Sequence, residues 1–288
     1  MSFYLFAFLL GLCLAFLAKG IFLSLRIFKV PDITTDGSYT LGAVITGVML
    51  AKGYHSLVIL PFVLAGGATA GAITGFIHTR LKIDALLSGI LVMTGLYSVN
   101  LVILGRSNLP LVNHDNIFNL FHFNNPFISE QVILIGLVIC GICGLSWLMK
   151  TDFGLAMRAT GSSESMMKAM GVNTDNMKIK GLAIANALTA LSGYLVSQYQ
   201  GYVDINMGIG IVIVGLGAVM MGESFLMWKS DLSIVWKLVS VVVGAVLLRL
   251  MLAITLSLGI DPNLLKIITS GLVLVMVTLP HSRKLLSR

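Results

Sequence analysis

Apolar residues recur in runs of about 20 from one end of the chain to the other, the length an α-helix needs to cross the hydrocarbon core of a bilayer. The runs predict spans at about 3–25, 38–51, 56–78, 84–104, 130–149, 181–200, 207–222, 233–257 and 262–280. Those at 38–51 and 207–222 are short. Two polar stretches break the series, at about 106–129 and about 150–179. A transmembrane barrel would instead show short alternating segments. The pattern predicts an all-α polytopic membrane protein, one transmembrane domain over 1–288 with about nine transmembrane helices.

Composition agrees: 57% of residues are hydrophobic and 11% charged, against roughly 25% charged in soluble domains. The net charge of +7 would suggest nucleic acid in a soluble protein. Here cytoplasmic loops account for it, because they collect Lys and Arg. An outside N-terminus puts Arg26, Lys29, Arg80, Lys82, Lys150, Arg158, Lys168, Lys178, Lys180, Lys229, Arg283, Lys284 and Arg288 inside, and only Lys52 and Arg106 outside. The first run lacks a basic n-region and a small-residue cleavage site, so it reads as a retained span. Cys140 and Cys143 form a C-x-x-C within an apolar run and read as packing residues rather than a redox or metal site. His114, Asp115 and His122 lack metal-ligand spacing, and no catalytic constellation stands out.

Gly67, Gly71 and Gly75 are four apart and share a helix face, which lets a second helix backbone approach closely. The polar stretch Lys150 to Gly181 predicts a short helix at about 162–170 between Gly161 and Gly171. Met166, Met167 and Met170 share one face, and Glu164 and Lys168 form an i, i+4 pair. Two readings stay open: an amphipathic helix on the membrane surface, or a knob that docks into a partner.

The pattern Thr151-x-x-Gly154-x-Ala156-x-Arg158-Ala159, then Ala169-x-Gly171, then Lys178, resembles the coupling segment of ABC-importer permeases, closest to the branched-chain amino acid and ribose permease superfamily. The runs "PDITTDGSYTLGA" and "DINMGIGIVIVGLGAVMMGE" are similar to its tryptophan/tyrosine-type subfamily. The resemblance covers nearly the whole chain. It implies two permease copies, an ABC ATPase subunit and an extracytoplasmic substrate-binding protein or lipoprotein. It implies that Arg158, Gly161, Ser162, Glu164, Met167, Lys168, Ala169 and Gly171 contact the ATPase. The chain carries no G-x-x-x-x-G-K-[ST] phosphate loop, so no cofactor is expected in it; ATP and Mg would sit on the partner. The expected setting is a bacterial inner membrane, with lipid and no nucleic acid as surroundings.

Transporters often place their site at discontinuous helices in corresponding parts of two inverted halves. Asp32-Ile33, Gly37 and Leu41-Gly42-Ala43-Val44 are echoed by Asp204-Ile205, Gly208 and Leu216-Gly217-Ala218-Val219. The spacing differs, but the two spans run in opposite directions, as an inverted repeat requires. A helix starting near Ser38 would offer free N–H groups to a carboxylate, and Asp32 or Asp36 would suit an ammonium. The alternative is plain capping at a turn. Candidate pathway residues are Asp32, Thr35, Asp36, Ser38, Tyr39, Tyr97, Asn100, Asp204, Asn206 and Gly208. Thr94 and Ser98, on the Tyr97–Asn100 span, and Gln198 and Gln200 join them or bond between helices. Lys19 and Arg249 fall inside apolar runs and would snorkel or pair with a carboxylate. Glu223 and Asp231 face the cytoplasm, Glu223 towards the coupling segment. Phe118, Phe121 and Phe123 would form an interfacial belt or a docking site. The expected function is import of a small solute, an amino acid with aromatic ones as candidates, by alternating access. A motor-independent carrier or channel using intramembrane carboxylates is the alternative class.

Overall fold

A computed structural model describes residues 3–112, 116–119, 126–226, 233–261 and 264–286. The helices are α1 (Phe3–Phe22, continuing in a π-helical turn Leu23–Ile27), α2 (Thr34–Ala51), α3 (Ser56–Arg80), α4 (Ala85–Leu104), α5 (Pro126–Lys150), α6 (Asp152–Ser162), α7 (Glu164–Ala169), α8 (Thr174–Gln200), α9 (Ile211–Leu226), α10 (Ile234–Ser257) and α11 (Leu265–Leu286). Two three-residue strands, β1 (Asn108–Pro110) and β2 (Tyr202–Asp204), pair antiparallel in a small ribbon.

Among the described residues, six helices are long and apolar enough to cross a membrane: α1, α3, α4, α5, α8 and α10. The chain is therefore a multi-pass membrane protein. The other three expected spans fall on α2, α9 and α11. Those of α9 and α11 are shorter apolar segments, and α2 is rich in threonine and glycine.

The middle of the bundle is α1, α2, α8 and α10. In α1 nearly every residue from Leu9 to Phe22 is buried, so its helix is apolar all round, as a fully enclosed helix must be. Outer helices α3, α4 and α5 keep broad exposed apolar faces, such as Phe62, Phe76, Leu87 and Ile139. Small residues bring the inner backbones together. Built on Gly67, a Cβ would lie 2.6 Å from the Ala190 Cβ, and on Gly75 it would lie 2.7 Å from the Ile179 Cα. The partner of the predicted glycine face is thus α8. On the same helix, Gly42 of α2 faces the Ala190 carbonyl and Gly193 faces the Tyr39 carbonyl.

The ends of the bundle separate by function. One end holds the β1–β2 ribbon, the Tyr54 turn and Ile117, whose N–H donates to Gln198 Oε1 at 2.9 Å. The other holds the Arg26–Glu223 ion pair, the Arg80–Asn176 hydrogen bond and the segment α6–α7. This agrees with the expected separation of outer and inner loops. The expected contact of Glu223 with the coupling segment is not formed, because Arg26 takes its carboxylate. Phe118 is not in an interfacial belt: it is buried, with its ring edge-on to Tyr199. Phe121, Phe123, His114, Asp115, His122, Lys229 and Asp231 lie outside the described residues.

Candidate functional site

The first interruption sits inside the bundle. After the π turn, residues 28–33 run without helix, and α2 starts at Thr34 rather than near Ser38. Asp32 makes the earlier start possible, because its Oδ1 accepts the Thr34 N–H at 2.9 Å. This is the i to i+2 bond of an Asx turn, leading into the helix whose N-cap position is Ile33. Its other oxygen accepts from Asn186 Nδ2 at 2.6 Å. Asn186 Oδ1 in turn accepts from Ser38 Oγ at 2.7 Å, and Thr34 shares a 2.7 Å hydroxyl contact with Thr74 of α3. Thr35 Oγ1 donates to the Asp32 carbonyl at 3.2 Å. Asn186 stands about three turns into α8, on the order of 18 Å from its Thr174 end. On the neighbouring helices the segment meets Thr74, about 9 Å from the Arg80 end of α3, and Gly89, about 6 Å into α4, so the irregular backbone is covered by protein at Asp32, Thr34 and Thr35.

The second interruption meets the first. Leaving β2, the chain descends along α2 from Gly47, which touches Val203, to Asp36, a distance of about 16 Å along the helix. There Asp36 Oδ2 accepts the Gly210 N–H and Oδ1 accepts the Val212 N–H, each at 2.9 Å. The first-turn carboxylate of one broken helix therefore caps the other. Gly208 lies against the Asp36 carbonyl and the Thr40 hydroxyl, with no room for a Cβ. The sequence echo is thus unequal in structure. Asp32 and Asp204 each accept the N–H two residues on, but Asp32 does so at the first residue of α2, whereas Asp204 lies seven residues before α9.

Other predicted pathway residues separate. Tyr39 is buried near the middle of α2, but Asp204 is half-buried in the ribbon and Asn206 is exposed. Tyr97 and Asn100 do not share a face in effect: Tyr97 is 45% exposed with Thr94 and Ser98, whereas Asn100 is buried and donates to the Gly37 carbonyl at 3.3 Å. Three residues leave them about 60° apart around the helix, so the edge of the packed face falls between them. Gln198 is buried and binds Ser56 and the outer turn. Asn186 is the polar residue that the sequence reading missed. Its signal was a lone asparagine within "GLAIANALTALSG", an intrahelical amide in an otherwise apolar and small-residue run.

At the opposite end, α6 and α7 form a bent pair. Thr151 caps α6 through the Gly154 N–H at 3.3 Å, and Ser163 caps α7 through the Met166 N–H at 3.4 Å. Gly161 packs on the Ile27 carbonyl with no space for a Cβ. Glu164 binds Lys168 at 2.8 Å and Lys178 at 2.6 Å, so α7 is tied to α8. Hydrogen bonds from Lys168 and then Lys178 hold the Glu164 carboxyl down to about 2. The methionine face divides: Met167 is buried, while Met166 and Met170 are exposed, as are Arg158, Ser162, Lys168, Ala169 and Gly171.

Known proteins bear on this arrangement. The family model described as branched-chain amino acid transport system / permease component matches residues 3–278. The chain belongs to this permease family. A tyrosine transport system permease protein of Clostridioides difficile (strain R20291) is 37% identical over 90% of this chain and 85% of its own length. An uncharacterized protein of Rickettsia prowazekii (strain Madrid E) is 33% identical over 90% of each. Among solved structures, PsaBC from Streptococcus pneumoniae in complex with Fab aligns with a TM-score of 0.52 at 16% identity, covering 96% of this chain and 91% of that one. That likeness concerns the permease fold alone. Within this family, the chain is a membrane transport subunit of an ABC importer rather than a catalyst.

Proposed function

We propose that this permease moves an amino acid, with tyrosine-like aromatic ones the first candidates, by alternating access in a bacterial cytoplasmic membrane. It works as a homodimer with two ATPase subunits and an extracytoplasmic binding protein. The observation that carries the reading is the α6–α7 segment. It is capped at both starts, anchored to α8 through Glu164 and Lys178, and it offers Met166 and Met170 outward. Exposed flexible thioethers on a braced helix suit a groove on a soluble partner. Movement there reaches α1 through Gly161 on Ile27 and α8 through Lys178. Those helices frame the Asp32 and Asp36 junction. The cargo preference is taken from the tyrosine permease of C. difficile.

Asp32 and Asp36 serve in this reading as the frame of the pathway. Each already accepts two hydrogen bonds from protein groups. That weakens the carrier alternative, which needs intramembrane carboxylates free to bind an ion. In proteoliposomes with the ATPase and binding protein, labelled L-tyrosine uptake should require ATP. Deleting Ser162–Met170 should leave the chain inserted but without bound ATPase. Copurification of the ATPase with that deletion, or uptake driven by an ion gradient without it, overturns the proposal.

A further inference from the structure

Two cations lie within apolar helices, and they differ. Lys19 of α1 is fully buried, yet its Nζ donates to the Val138 carbonyl at 3.2 Å and lies 4.5 Å from the Phe16 ring centroid. Neither snorkelling nor a carboxylate is needed. Arg249 of α10 has no such partner. None of the described hydrogen bonds or ion pairs includes its guanidinium, and its Nε is buried and unsatisfied. The ionisable side chains described within electrostatic reach are Tyr39, Cys13 and Tyr202, none of them a carboxylate. An unpaired guanidinium inside a span is costly, so an intramembrane position of this kind points to function.

Arg249 also has space beside it. It lines a cavity of about 250 Å³ between α9, α10 and α11, next to Gly210 where α9 begins. Lys266 adds a second cation, Thr269 and Ser270 add hydroxyls, and the remaining wall is apolar, including Ile209, Ile213 and Leu252. Among the described residues, no Asp or Glu lines it. Pockets for drug-sized ligands run roughly 300–1,000 Å³, so this one suits a smaller molecule with an anionic head and an apolar body.

We propose that the cavity seats the carboxylate of the amino-acid cargo, with Arg249 as its bidentate partner and Lys266 as the second positive charge. The site lies at the α9 interruption that the sequence marked, but on residues outside the echo. The proposal rests on the transport reading. It also explains why a charge is kept in α10 that, as an unpaired ion, lowers stability.

The test is arginine-directed labelling of the permease–ATPase complex in phosphatidylcholine nanodiscs with phenylglyoxal, mapped by peptide mass spectrometry. L-Tyrosine, L-phenylalanine or L-leucine should slow labelling of Arg249 several-fold, the corresponding amides should not, and exposed Arg106 should be unaffected. Equal labelling of Arg249 with and without all three acids overturns the proposal. Slowing by added phosphatidylglycerol and by none of the acids also overturns it, assigning the cavity to lipid. In uptake assays Arg249→Gln should lose at least about tenfold and Arg249→Lys less. Arg249 is only partly buried, and removing a charge that no described protein group pairs should not unfold the bundle. Undiminished uptake by Arg249→Gln sinks the seat and keeps the importer. Protection without ATP-driven uptake sinks the importer and keeps the seat.

Discussion

Asp36 of α2 and Gly210 at the head of α9 are joined by a 2.9 Å hydrogen bond across 174 residues of chain. With the matching bond to Val212, a side chain in the first turn of one interrupted helix caps the start of another. Buried N–H groups without a partner cost about 1–3 kcal/mol each, so Asp36→Ala should lower thermal stability in detergent by that order. Asp36→Asn keeps one acceptor oxygen and should cost less. Both should depress uptake, because the junction of α2 with α9 loosens. Equal melting of wild type and Asp36→Ala would show that the two N–H groups find other partners.

The Asp32–Asn186 contact at 2.6 Å makes a second prediction. Asn186→Leu removes a donor from a buried carboxylate and an acceptor from Ser38. Hydrogen bonds to charged groups are worth about 1.5–3 kcal/mol, and the loss should reach that range. Asp32→Asn in the same background should recover part of it, because a neutral amide tolerates burial better. A double-mutant cycle should give a coupling of about 0.5–3 kcal/mol; strictly additive losses would mean that the pair does not act as a unit.

Much of this architecture was legible because apolar run length and glycine spacing are local signals. The glycine face at Gly67, Gly71 and Gly75 announced a close helix partner. What pairs with what was not local. Nothing near Asp36 in the sequence indicates Gly210, since the bond depends on where two descending segments stop. The start of α2 was placed four residues late because Thr34, Thr35, Asp36 and Ser38 are all competent caps by residue type, whereas the bond that fixes the start comes from Asp32, held by Asn186 of another helix. The face formed by Met166, Met167 and Met170 was read as one stripe, but anchoring of α7 through Glu164 turns Met167 inward.

Close packing gives a contrast between glycines. A side chain on Gly42 would meet the backbone of Ala190, which cannot move aside without shifting α8, whereas Gly95 of α4 has open space around it. Gly42→Val should therefore fail to accumulate as folded permease. Gly95→Ala should be neutral or stabilise the helix by up to about 1 kcal/mol. Size-exclusion profiles and membrane yield compare the two. A well-folded Gly42→Val protein would require α2 and α8 to lie further apart than described.

The last prediction concerns Glu164, which lies outside the spanning helices. Its carboxyl is held at about 2, below the ordinary 4.5, by Lys168 first and Lys178 second. Lys168 is correspondingly raised by the same hydrogen bond. A depressed carboxyl contributes stability that is complete above its unfolded value and disappears as pH falls through the folded one. The anchoring of α7 should therefore hold at neutral pH and weaken between 4.5 and about 2. Glu164→Gln should imitate the acid state at neutral pH. Hydrogen exchange over residues 164–174 should be slower in wild type than in Glu164→Gln at neutral pH, and the difference should close across that acid window. Because more than a third of the Glu164 side chain is exposed, solvent screens the pair, and 1 M salt should narrow the difference as well. If α7 is the part that docks on the ATPase, Glu164→Gln should also weaken that association without affecting membrane insertion. A difference in exchange that persists unchanged to the bottom of the window would mean that Met167 packing, rather than the two lysines, fixes the segment.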